Sequence, residues 1–192
     1  MKIATWTSVT LDGVMQAPGG AEEDTRGGFE RGGWAHPYAD EVMMRASGVG
    51  MSQGGPILFG RRTYEQFYGF WPHQADNPFT ERLNQAQKYV ASRTLEEPLP
   101  WQNSTLLQGD ATDAVRELKQ QDGPDAVVLG SGELLRSLIG AGLVDRYTLL
   151  IHPLVLGSGR RLFPQEGPLA KLRLVESVQT TTGVIIATYE PA

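Results

Sequence analysis

The chain of 192 residues contains no cysteine. That absence excludes disulfides, thiolate zinc sites and a cysteine nucleophile together, and it fits a reducing cytosol. Histidine is also scarce: His36, His73 and His152 are scattered without ligand spacing, so no metal site is expected. No run approaches the roughly 20 apolar residues of a membrane span. The N-terminus reaches polar residues and Asp12 too early for a secretory signal. Positive charge is not in excess: the formal net charge of -5 argues against a broad nucleic-acid surface. There is no internal repeat and no low-complexity segment. The expectation is a soluble, cytoplasmic, single domain over residues 1–192. At this length about 70% of the unfolded surface can be buried, so no covalent staple is needed.

Short apolar runs alternate with amphipathic ones along most of the chain. Strands are expected at Ile3–Val9, Pro56–Phe59, Lys88–Ala91, Ser104–Leu107, Asp125–Leu129 and Arg146–His152. Helices are expected at Tyr38–Ala46, Thr63–Phe70, Pro78–Ala86, Thr112–Gln121 and Glu133–Ala141, the last stopping at Gly142. Leu172–Val178 and Val184–Tyr189 read as two consecutive strands around a polar, Thr-rich turn. The pattern predicts an α/β fold: a mostly parallel sheet with helices on both faces and an antiparallel C-terminal hairpin. Residues 16–35, rich in glycine and acids, form a long loop of the kind that is usually functional or disordered.

Three strand ends carry polar or glycine-rich signatures: Gly60-Arg61-Arg62-Thr63, Ser92-Arg93-Thr94 and Gly130-Ser131-Gly132. Ligands of open α/β sheets bind beyond the carboxyl ends of the strands, so all three are expected to face one crevice. A strand running through glycine into a helix start is an anion-binding device, and arginines beside it add bidentate phosphate donors. Arginine in a first turn opposes the helix dipole, which favours a nearby anion over a merely solvated helix start. Gly130-Ser131-Gly132 also reads as an ordinary tight turn. It lacks the Gly-x-Gly-x-x-Gly spacing because position 135 is Leu135. Arg93 is a second phosphate ligand or a solvated loop arginine. Trp34, Tyr38, Tyr64 and Trp71 offer flat surfaces for an aromatic ring, or belong to the core as most aromatics do. With the 16–35 loop, Trp34 suggests a lid.

Taken in order, Leu11-Asp12-Gly13, Gly60-Arg61-Arg62-Thr63-Tyr64-Glu65, Ser92-Arg93-Thr94, Gly130-Ser131-Gly132 and Val155 to Phe163 resemble the dihydrofolate reductase-like superfamily. The likeness covers nearly the whole chain and is nearest to the reductase domain of bacterial riboflavin biosynthesis. It implies a three-layer α/β/α fold with NADPH across the carboxyl edge of the sheet. By this resemblance Gly60, Arg61, Arg62 and Thr63 hold phosphates at one helix start. Gly130, Ser131, Gly132, Glu133 and Leu134 place the pyrophosphate at a second. Ser92, Arg93 and Thr94 surround the adenosine 2′-phosphate, with Gly109 and Asp110 at the next strand end. Ser8 and Met15 lie near the nicotinamide, while Asp12, Trp34 and Tyr64 contact substrate. Asp40 is the candidate to orient the substrate or assist its protonation; otherwise it is a helix-start carboxylate stabilised by the dipole. Leu156 to Phe163 reads as a connection near a homodimer contact, with Arg160 and Arg161 in reach of a substrate phosphate.

Three functions follow. The first is an NADPH-dependent reductase acting on a small heterocycle such as a pterin or flavin precursor. The second is 5-amino-6-(5-phosphoribosylamino)uracil reductase of riboflavin biosynthesis, although the His-x-Glu and Pro-Cys-x-x-Cys signature of the companion deaminase is missing. The third is a nucleotide- or heterocycle-binding protein without turnover, because fold alone does not establish activity.

Overall fold

The computed structural model describes residues 1–52, 55–167 and 169–192. In chain order its elements are β1 (Ile3–Thr10), α1 (Glu41–Ser52), β2 (Ile57–Gly60), α2 (Arg61–Phe70), α3 (Pro78–Gln85), β3 (Lys88–Ala91), β4 (Ser104–Leu107), α4 (Ala111–Lys119), β5 (Ala126–Leu129), α5 (Gly132–Gly140), β6 (Arg146–His152), β7 (Leu172–Gln179) and β8 (Ile185–Pro191). Two compact units emerge, one of residues 1–4 and 51–144, the other of residues 5–50 and 145–192.

In the first unit β2 pairs in parallel with both β3 and β5, and β3 pairs in parallel with β4. The Ala126 N–H donates to the Lys2 carbonyl at 2.9 Å beside the start of β1. Ile57, Leu58 and Phe59 are buried, as a strand with neighbours on both sides requires. The helices contribute apolar faces at helical spacing: Val115 and Leu118 from α4, and Leu134, Leu135 and Leu138 from α5. The transitions from β2 to α2, β4 to α4 and β5 to α5 are short, so these three helix starts lie directly beyond a strand's carboxyl end. In the second unit β8 lies antiparallel between β6 and β7, with a register shift between Leu174 and Glu176. The expected α/β fold, mostly parallel with an antiparallel C-terminal hairpin, is what the structure shows.

The elements depart from expectation where capping chemistry decides. The expected helix from Tyr38 is instead a 3-10 turn over His36–Tyr38 followed by α1 from Glu41. Pro37 sits in the first positions of that turn, and Asp40 starts the helix by accepting the Met43 N–H at 2.8 Å. Helix α2 begins at Arg61 rather than Thr63, so both arginines stand in its first turn. The 16–35 loop has neither helix nor strand but carries a core of its own. Phe29 and Trp34 pack with Val14, Ala17 and Leu156, and the Gln16 side chain donates to the Asp24 and Arg26 carbonyls at 3.0 and 2.9 Å.

One buried cation was not visible in the sequence pattern. Lys88 opens β3 and is fully buried. Its Nζ donates to the Leu83 and Ala86 carbonyls at 2.7 and 2.8 Å, at the end of α3. Desolvation, aided by Arg82, lowers its pKa from 10.5 to about 8. The unfolded chain therefore binds more protons between those values, so stability rises with pH across that window. We expect the wild type to gain ~3 kcal/mol relative to Lys88→Met as pH is raised through it. Urea midpoints of the two proteins measured across the window check this, and parallel pH profiles would contradict it.

Candidate functional site

Within the first unit, β2 lies between β3 and β5, and this order alone brings the three strand-end motifs together. The Gly60 N–H donates to Ser131 Oγ at 2.8 Å. The Ser131 N–H donates to Thr63 Oγ1 at 3.0 Å. The turn after β5 is thereby stitched to the start of α2. Gly130 has φ +55°, and a Cβ there would stand 3.1 Å from the Thr63 methyl, so the close approach requires glycine. On the other side, Arg61 Nη1 donates to Thr94 Oγ1 at 3.0 Å. Ser92 Oγ accepts the N–H groups of Thr94 and Leu95 at 3.1 and 3.0 Å, which shapes the loop after β3. Arg93 reaches across to Asp110 at 3.6 Å. An open cavity of about 360 Å³ sits at these ends, lined by Ser92, Arg93, Leu95, Leu106, Gln108 and Gly109.

The helix starts divide into two kinds. Asp40 caps α1, Asn77 caps α3 through the Phe79 N–H at 2.9 Å, and Asp110 caps α4 through the Thr112 N–H at 2.9 Å. Helices α2 and α5 have no side-chain cap. At α2 the cap residue is Gly60, which has no side chain. At α5 it is Ser131, whose hydroxyl is already committed to Gly60. The two uncapped starts are the two stitched together, and α2 carries Arg61 and Arg62 in its first turn with no acid. A helix start with exposed dipole, flanking arginines and no internal carboxylate fits the phosphates of a dinucleotide. Glu133 stands exposed in the first turn of α5, and Leu134 is buried beneath it.

Other candidates are placed differently. Tyr64 is a core residue, 1% exposed. Its ring lies against Phe59 and Trp101, and its hydroxyl accepts the Trp101 N–H at 3.0 Å, so it presents no surface to a substrate. Trp71 packs edge-on against Phe79 at 4.4 Å.

In the second unit, Ser8 is half-buried on β1 and Met15 is buried, its N–H donating to the Arg160 carbonyl at 2.9 Å. Asp12 is not turned to a ligand. Its carboxylate accepts the Gly157 and Leu156 N–H groups at 2.9 and 3.2 Å and the Thr10 hydroxyl at 2.6 Å. The Thr10 bond is the main reason its pKa lies below the usual carboxylate value. Trp34 is an anchor rather than a lid surface: it is buried, and its Nε1 donates to the Gln16 carbonyl at 2.7 Å. It meets His152 edge-on at 5.1 Å, as Tyr38 does at 5.5 Å. His152 is fully buried and Nδ1 pairs with the Leu150 carbonyl at 2.9 Å; desolvation lowers its pKa.

Asp40 is held by the protein's own donors. It accepts both the N–H and the hydroxyl of Thr181 at 2.6 Å, besides the Met43 N–H. These bonds, the Thr181 hydroxyl foremost, lower its pKa from 3.8 to about 2, so it is a carboxylate at neutral pH. A depressed acid contributes stability that is present above its unfolded value and lost as pH falls through the folded one. The stability advantage of wild type over Asp40→Asn is expected to disappear between pH 3.8 and about 2. Chemical unfolding of both proteins over that range checks it, and an advantage that persists at the low end would contradict it. Among the described residues no cluster of histidine and acids could hold a metal ion, and no helix is long and apolar enough to cross a membrane.

The fold is an α/β fold of the dihydrofolate reductase-like kind. A putative riboflavin biosynthesis protein from Shewanella sp. PV-4 has a similar structure, with TM-score 0.72 and 20% identity over 100% of this chain and 99% of that one. So does a pyrimidine reductase-like protein from Corynebacterium diphtheriae, with TM-score 0.63 and 14% identity over 100% and 92%. RibD of Acinetobacter baumannii gives TM-score 0.63 and 13% identity, the chain spanning 58% of its length. In sequence, the uncharacterized protein YyaP of Bacillus subtilis (strain 168) is 32% identical over 145 residues, 72% of this chain and 75% of that protein. The chain belongs to the RibD C-terminal domain family, whose model matches residues 2–186.

Proposed function

We propose that this chain is an NADPH-dependent reductase that delivers hydride to a small heterocycle of the pterin or flavin-precursor type. The observation that carries the reading is the contrast among helix starts: three are capped by their own side chains, and the two stitched together at Gly60, Thr63 and Ser131 are not. Bound NADPH would supply the hydride; the protein supplies binding and orientation. In this reading Gly60 to Thr63 and Gly130 to Leu134 hold the pyrophosphate. Ser92, Arg93, Thr94, Gly109 and Asp110 receive the adenosine end at the cavity beside β3 and β4. Membership of the RibD C-terminal domain family favours, among heterocycles, the phosphoribosylated aminopyrimidine of riboflavin biosynthesis.

The test is a turnover assay. The purified chain is mixed with NADPH and, separately, with pterins and 5-amino-6-(5-phosphoribosylamino)uracil, and loss of the reduced-nicotinamide absorbance is followed. Oxidation dependent on one of these heterocycles supports the reading. Nucleotide binding with no turnover on any of them would make the chain a binding protein on a reductase scaffold, and failure to bind the nucleotide would reject both.

A further inference from the structure

The adenosine end of the site holds two opposed charges. Arg93 projects into solvent with 84% of its side chain exposed, and its ion-pair partner is Asp110, at 3.6 Å. Asp110 is not free to turn away. One carboxylate oxygen is fixed by the N–H of Thr112 at 2.9 Å and by the Thr112 hydroxyl, since this residue caps α4. The other oxygen is the one that faces Arg93. Asp110 is also anionic at neutral pH, because the Thr112 bonds, with a smaller contribution from Arg93, hold it below the usual carboxylate value. Arg93 lines the cavity, as does Gly109, next in the chain to Asp110. A fixed carboxylate and a movable guanidinium therefore meet at its edge.

These two groups act in opposite senses on a nucleotide ribose. A 2′-hydroxyl can donate to a carboxylate and leaves the Arg93 pair intact. A 2′-phosphate is predominantly a dianion at neutral pH. It must draw Arg93 from its partner and then lies beside a negative charge that cannot retreat. We propose that Asp110 is a specificity-determining residue that works against the 2′-phosphate and narrows this chain's preference for NADPH over NADH. This rests on the reductase reading of the same site.

The experiment is calorimetric titration of the whole chain with NADPH and with NADH, for wild type, Asp110→Asn and Arg93→Ala. Asparagine keeps the helix cap, so Asp110→Asn removes the charge while preserving the fold. Wild type is expected to favour NADPH by less than about tenfold. Asp110→Asn is expected to bind NADPH roughly tenfold more tightly with no gain for NADH, a shift of about one decade in selectivity. Arg93→Ala is expected to lose the preference. If both nucleotides bind and Asp110→Asn leaves their ratio unchanged, the role assigned to Asp110 is overturned while the reductase reading stands. If neither nucleotide binds to any of the three proteins, the reductase reading fails and this inference with it.

Discussion

Gly60→Asp is expected to make the protein more stable and less able to bind its nucleotide. Gly60 has extended backbone, φ -81° and ψ 159°, at the cap position of α2. A Cβ there would meet Ser131 at 3.6 Å, an ordinary contact, so aspartate fits. Its carboxylate would cap a helix that has no side-chain cap, meet the positive end of the dipole and restrict the unfolded chain. Together these are worth ~1 kcal/mol, or about 3 °C in a chain of this size. The same carboxylate would accept the N–H groups that the phosphates need and repel the phosphates themselves. Losing hydrogen bonds to a charged group costs about 1.5–3 kcal/mol, so affinity for NADPH should fall roughly 10- to 150-fold. Thermal unfolding and nucleotide titration of the one variant give both numbers. A variant that is stabilised yet binds normally would show that this helix start is not the phosphate site. That pair of results would mark Gly60 as a position where stability is given up for function.

Gly55→Ala is expected to be the most damaging small substitution in the first unit. A Cβ at Gly55 would lie 1.8 Å from the Asp125 carbonyl oxygen, closer than any non-bonded contact allows, and the obstacle is backbone that cannot rotate away. The Gly55 carbonyl also accepts from Arg82 Nη2 at 2.6 Å. Relief requires moving the entry to β2, which is paired with both β3 and β5 and leads into Gly60. The loss should exceed ~4 kcal/mol, at the exceptional end for one residue. Denaturant unfolding, or the soluble yield where unfolding is too advanced to measure, reads this out. A loss within ~1 kcal/mol would mean that the β2–β5 entry is looser than the structure shows.

The strand-end motifs were legible because buried parallel strands are largely apolar, so the glycine or polar residue after Phe59, Ala91 and Leu129 marks each end. That the three motifs share one edge also followed from parallel topology. Their exchange of hydrogen bonds did not. It depends on β2 lying between β3 and β5, an order of non-local pairings that local pattern does not encode. Tyr64, Trp34, Asp12 and Asp40 have chemistry that could serve a ligand, and each is occupied by the protein itself. Tyr64 faces Phe59 and Trp101, Trp34 anchors Gln16, and Asp12 holds the Leu156–Gly157 turn. Asp40 caps α1 while gripping Thr181. Helical spacing offered one usable signal, because Tyr64 lies on the same face of α2 as Phe67 and against β2. Asp12 and Asp40 also have local partners in Thr10 and Met43, but Gly157 and Thr181 lie more than 100 positions away in sequence, and no local signal identifies those.

In the proposed function the uncapped starts of α2 and α5 hold the pyrophosphate of a reduced nicotinamide nucleotide. The most direct test is calorimetric titration of NADPH into wild type and Gly60→Asp side by side. Saturable, single-site binding to wild type, weakened at least ~10-fold in the variant, is expected. Absence of binding to wild type, or equal binding to both proteins, would contradict it.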